Sequence, residues 1–401
     1  MKKSQKIIFN FQFSIFNCLL CFILFGCIEE YEPTGIEEIA DILVVEGIIT
    51  DDESYITLSK SMFLSQTDWG NASSYFITNA RVYVECREDE TSFIAEPPDW
   101  DWRYWPPRYL IKTGKLDFDK QYRLKIEIDE YDYESEDCYW DWSGWMNCPS
   151  TTYEYYSDYS FPIRTPEIDS IFWTKRGRGQ PVMVYVATQS RDNQAIYYRW
   201  SFKEDWEINS FRSLEGYNYN CWFNSRNFEL LVGSSEKSLS GKLMQTIIEI
   251  PPTNSRLSVL YRIDVMQNAI SKRAYDYFTN IKKNTEQTSG LFVPIPSELR
   301  GNITCYTDPN KPVIGYIDVS STTQKRHFIS RYDNLYEPSL VICNLILRDS
   351  MLIWYGLPPW PNHVLYDREE RLYSPIECVE CTLLGGHTII PDNWPIIITD
   401  D

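Results

Sequence analysis

The clearest pattern in this chain is a two-residue alternation that recurs in short runs. In residues 122–128, Tyr122, Leu124, Ile126 and Ile128 alternate with Arg123, Lys125 and Glu127. That period puts one set of side chains on a buried sheet face and the other in water. Residues 42–49, 55–59, 77–85 and 109–111 are further strand-like runs, and Thr50, Asp51 and Asp52 form a turn between the first two. Several short strands at this spacing, with almost no helical periodicity, predict a β-sandwich over roughly residues 40–135.

Residues 136–165 break the pattern. They are dense in aromatic and acidic residues and read as a large loop or linker. A second β-rich region over 166–335 opens at 166–173, with further strands predicted at 182–186, 196–202 and 257–265. One helix interrupts it at about 269–285, where Ile270, Ala274, Tyr277, Phe278 and Ile281 share a face. Residues 336–401 read as an irregular C-terminal extension that carries a Cys-x-x-Cys motif. The expected fold class is therefore mainly β, with two immunoglobulin- or transthyretin-like sandwich domains in tandem and an amphipathic helix in the second.

The N-terminus has a different pattern. Lys2, Lys3 and Lys6 precede a mostly apolar run over residues 7–25, and Gly26 and Cys27 follow. A basic start, an apolar run and a small residue are the layout of a secretory signal. Leu24-Phe25-Gly26-Cys27 resembles the lipobox of bacterial lipoproteins. The resemblance implies cleavage after residue 26, lipidation of Cys27 and a tether over residues 27–40. Acidic residues Glu29, Glu30 and Glu32 resemble the export signal that sends such lipoproteins to the cell surface.

The formal net charge is −19, and losing the three leader lysines makes the mature chain more negative still. Such a balance repels phosphate backbones and excludes nucleic acid as a natural partner. It also repels anionic membrane surfaces, so attachment to a membrane must come from the lipid.

Beyond the leader, the order of motifs at 43–51, 77–85 and 122–128 is similar to transthyretin-like modules. A broader resemblance rests on 261–317, on 43–51 and 197–200, and on the closing Cys378-x-x-Cys381, Gly385-Gly386 and Pro391-Asp392-Asn393-Trp394. These segments resemble an uncharacterised family of Bacteroidota outer-membrane lipoproteins often encoded beside TonB-dependent receptors. The resemblance implies such a receptor as partner and an accessory role in nutrient uptake. It carries over no catalytic residue.

Candidate chemistry is sparse. His327, His363 and His387 are the only histidines, and none lies in a nucleophile or metalloprotease motif. There is no Gly-x-Ser-x-Gly and no phosphate-binding glycine loop, so the expected protein is not an enzyme and needs no cofactor. Cys378 and Cys381 with His387 and His363 could be read as zinc ligands, but an exported setting favours a disulfide, within the motif or to another cysteine. Cys138 and Cys148 flank a short aromatic loop and are a second candidate pair. Spacing alone does not assign the remaining cysteines.

Two aromatic loops are the candidate binding elements: Trp100, Trp102, Arg103, Tyr104 and Trp105 in one, and Trp140, Trp142 and Trp145 in the other. Exposed rings can stack on sugar faces or anchor a peptide or protein. The competing expectation is that the rings cover the edge of the sandwich. A free-standing adhesin that binds glycan or peptide through these loops is the alternative to the receptor-subunit reading.

Overall fold

The computed structural model describes residues 42–61, 75–98, 106–143, 146–190, 195–227, 229–286, 301–337, 343–355 and 362–395. They belong to one compact unit, Ile42–Asp401. The leader, Cys27, the tether, the loop residues Trp100, Trp102, Arg103, Tyr104 and Trp105, and Trp145 lie outside the described residues.

The chain is mainly β, as the alternation predicts. Leu43–Thr50 runs antiparallel to Asp52–Lys60, which pairs in turn with Tyr109–Gly114. A second sheet runs in the order Ile303–Cys305, Ser150–Ser157, Tyr122–Tyr131, Arg81–Cys86 and Thr91–Ile94, antiparallel throughout. The two sheets share one core. Val45, Ile49, Ile56, Leu58 and Ile111 of the first meet Val82, Val84, Leu124, Ile126 and Tyr155 of the second. The outward set carries ion pairs instead. Arg123 pairs with Glu85 at 2.7 Å, and Arg81 with Glu127 at 2.8 Å and Asp129 at 2.7 Å. Exposed pairs like these add only about 0–1 kcal/mol each, so burial of the inward row holds the sheets together.

A second pair of sheets surrounds a separate core. Ile168–Lys175, Val182–Gln189 and Lys242–Ile250 form one sheet. The other is built on Tyr197–Asn209 and Leu260–Ile270, flanked by Asn220–Arg226, Leu231–Ser234 and Thr322–Ser330. Val182, Val184 and Val186 pack against Trp200, Tyr198, Tyr261, Ile263 and Val265. Burying Trp200 requires a partner for its ring N–H, and it donates to Gln267 Oε1 at 2.8 Å. Gln267 Nε2 then donates to the Pro166 carbonyl at 2.8 Å.

The predicted helix spans Lys272–Glu286. Its apolar face, with Ala274, Tyr277 and Phe278, packs on Tyr197 and Ile270 of the second sheet pair and on Ile48 and Tyr316 of the first. Ser271 caps it, since Ser271 Oγ accepts from the Ala274 amide at 3.1 Å. The Ser271 amide donates to Asp318 Oδ2 at 2.7 Å.

The expected domain division needs correcting in three places. Residues 136–165 are not all loop: Ser150–Ser157 is a strand inside the second sheet, with Tyr155 and Ser157 buried. The 166–335 region is not self-contained. Ile303–Cys305, Val313–Gly315 and Val319–Ser320 return to the first sheet pair, the last two running parallel to Leu43–Thr50. Strand edges need hydrogen-bond partners, and those of this segment lie far back in sequence. Gly315 permits the close approach, because a Cβ there would sit 2.5 Å from the Val45 carbonyl oxygen. Finally, the C-terminal extension is not wholly irregular. Ile346–Leu347, His363–Asp367 and Leu372–Pro375 form a small sheet beside a second helix, Arg348–Tyr355.

Candidate binding surface

The second sheet extends at one end into a clamped hairpin. Tyr131 pairs with Ser150 at the last sheet position, and the Asp132 amide donates to the Pro149 carbonyl at 2.9 Å. Cys138 and Cys148 then close the neck by a disulfide with Cα atoms 4.2 Å apart. Beyond it, Tyr139–Trp140 pairs with Met146–Asn147. Asp141 organises the turn, accepting from the Ser143 amide at 2.9 Å and from Asn147 Nδ2 at 3.2 Å. Closing a loop of this length removes about 3 kcal/mol of unfolded-chain entropy, which holds so short a hairpin in place.

The rings are not folded back on the sheet. Trp142 is 99% exposed and Trp140 69%, and Tyr131, Tyr133, Tyr139 and Met146 are exposed beside them. Glu134, Glu136 and Asp137 on the approach to the neck are exposed too. Burying two tryptophans against a partner would remove some 150–250 Å² each from water. The hairpin is therefore a disulfide-closed element whose described aromatic side chains are exposed and flanked by acids.

The closing cysteines do not pair with each other. Cys381 is joined to Cys221 and Cys378 to Cys343, which fastens the C-terminal module to the Asn220–Arg226 strand. Neither is a free thiolate, and among the described residues no group of three metal-ligating side chains forms. His387 is held instead by backbone bonds to Trp222 and by Asn224, 3.2 Å from its Nε2. Cys86 and Cys305 are buried free thiols.

Sequence reasoning missed a buried charge cluster on the outer face of the second sheet pair. Arg262 pairs with Asp205 at 2.6 Å, and Arg326 makes a two-point contact with Asp264 at 2.6 and 3.0 Å. The register explains it: Asp205 faces Arg262 and Asp264 faces Arg326 across adjacent strands. Arg262 Nη1 also donates to the Asp392 carbonyl at 2.6 Å, and its guanidinium lies 5.3 Å from the Trp394 ring. Trp394 Nε1 donates to Glu207 at 3.0 Å. The cluster thus seals the closing Pro391–Trp394 segment onto the sheet. Its signal was present as Arg-x-Asp at 262–264 and Asp205, but only register brings these together.

On the core-facing side, the Tyr261 hydroxyl donates to Glu204 Oε1 at 2.7 Å and Arg256 Nε lies 3.2 Å from it. Burial raises the Glu204 carboxyl from its ordinary value, against the pull of Arg256 and the Tyr261 hydroxyl. Among the described residues, no nucleophile–base pair lines the cavity of about 350 Å³ beside Ser190, Ser235, Glu236 and Ser240. Ser235 Oγ there donates to the Ile196 carbonyl.

A family profile described as Domain of unknown function (DUF4249) matches residues 28–139 and 149–326. The chain belongs to that family. No curated protein matches it. The matched segments cover both sheet pairs up to the middle of Thr322–Ser330, and leave out 140–148 in the clamped hairpin and everything after 326, including the disulfide-fastened C-terminal module.

Proposed function

We propose that the protein is a non-enzymatic lipoprotein of a Bacteroidota outer membrane, anchored through Cys27 and exposed at the cell surface. In this reading it serves as an accessory subunit of a TonB-dependent nutrient-uptake receptor. The leader pattern and the sequence resemblance supply the address and the receptor link. The observation that carries a binding rather than a catalytic role is the clamped hairpin, which holds Trp140 and Trp142 in solvent. Rigid exposed aromatic anchors lower the ordering cost of association.

The test is purification of the tagged full-length chain from detergent-solubilised membranes. A receptor recovered in stoichiometric amount supports the reading. Recovery of the chain alone, or of a soluble Cys27-containing form from the aqueous fraction, refutes it. The same exposed rings favour a second reading, a free-standing adhesin. It requires the purified chain to bind glycans or peptides with no receptor present.

A further inference from the structure

We propose that the clamped hairpin docks on a basic segment of a partner protein, whose Lys or Arg side chains stack on Trp140 and Trp142 and pair with the neighbouring carboxylates. This rests on the reading of the chain as a subunit and names the chemistry of the contact. Between Lys125 and Arg164 the chain contains no Lys or Arg, while Glu134, Glu136 and Asp137 crowd the hairpin's approach. The projection therefore offers aromatic faces and negative charge with no cation of its own.

The neighbouring sheet shows how this surface chemistry is completed when a cation is available. Lys311 Nζ sits 3.6 Å from the centre of the Tyr153 ring and pairs with Glu130. Arg123 lies 4.2 Å from the Tyr156 ring centre and 4.4 Å from that of Tyr159, and pairs with Glu85 at 2.7 Å. Among the described residues, no Lys or Arg lies over Trp140 or Trp142. A cation held between a ring and a carboxylate gains from both, and more so once the contact is dry.

Charge favours this occupant: the exposed carboxylates of Glu134, Glu136 and Asp137 attract a basic side chain and offer nothing comparable to a neutral sugar face. An anionic membrane surface would be repelled by the acidic flank. Residues 140–148 fall between the segments matched by the family profile.

The test places a photo-crosslinking phenylalanine analogue at Ser143 of the full-length chain in native membranes, followed by peptide mapping. The expected result is a crosslink to a stoichiometric membrane protein, at a peptide containing Lys or Arg. Trp140→Ala with Trp142→Ala lowers its yield and the recovered complex by about 30-fold or more. Glu134→Gln, Glu136→Gln and Asp137→Asn together lower both by about 10-fold at low salt, whereas Glu369→Gln with Glu370→Gln does not. Circular dichroism unchanged from wild type shows that the hairpin variants remain folded. A complex recovered equally with all variants overturns the hairpin proposal and leaves the subunit reading standing. A crosslink to lipid or glycan, or to a peptide without basic residues, also overturns it. A wild-type chain that recovers no partner overturns the subunit reading itself.

Discussion

Asp318→Asn should stabilise the protein at neutral pH and leave it unchanged in acid. Asp318 is 5% exposed, and burial raises its carboxyl from 3.8 to about 6, against the opposing pull of the Ser271 amide. The residue ties the two sheet pairs together: its carbonyl accepts from the Ile49 amide at 2.9 Å while its side chain holds the start of the helix. Because the folded value lies above the unfolded one, the native state binds more protons between them. Stability therefore falls as pH rises from about 4 to about 6, and the loss persists above that range. A rise from 3.8 to about 6 corresponds to about 3 kcal/mol. The asparagine oxygen can still accept from Ser271, and no charge is buried. Urea unfolding midpoints of wild type and variant, measured from pH 4 to pH 8 with disulfides intact, read the difference directly. The variant's advantage should be near zero at pH 4, grow through pH 5–6 and level off near 3 kcal/mol. A difference that does not change with pH, or a variant weaker than wild type at pH 7.5, refutes the reasoning.

Three further outcomes follow from the same structure. Arg262→Met leaves the buried Asp205 without its partner and should cost about 3–5 kcal/mol, while Arg262→Met with Asp205→Leu should recover much of the loss in the same unfolding assay. Replacing Cys221 and Cys381 with alanine frees a 160-residue loop and should cost up to about 5 kcal/mol, with proteolysis of the C-terminal module appearing first. Gly315→Ala forces a Cβ to 2.5 Å from the Val45 oxygen and should destabilise by about 1–3 kcal/mol, read as a lower thermal midpoint.

The local period was readable from the chain because it reports which face of an element is buried. Tyr122, Leu124, Ile126 and Ile128 are all buried, and Ala274, Tyr277 and Phe278 form the buried helix face. The short span from Cys138 to Cys148 was readable for a similar reason, since few geometries can join residues so close in sequence. Ser150–Ser157 was hidden because its aromatic and acidic composition resembles a loop, although Tyr153, Tyr155 and Ser157 keep the two-residue period.

Local patterning was enough to set the β class, the inward and outward rows, the helix face and the acidic, aromatic character of the hairpin. Tertiary structure alone decided that 301–320 completes the first sheet pair, that Cys378 and Cys381 take Cys343 and Cys221, and that Arg262 meets Asp205 beneath Trp394. It also decided that Trp140 and Trp142 stand in solvent instead of covering an edge. The physical reason is one of range. Periodicity and propensity act over a few residues, whereas strand partners, disulfide mates and buried ion pairs depend on which distant surfaces satisfy one another's hydrogen bonds and charges.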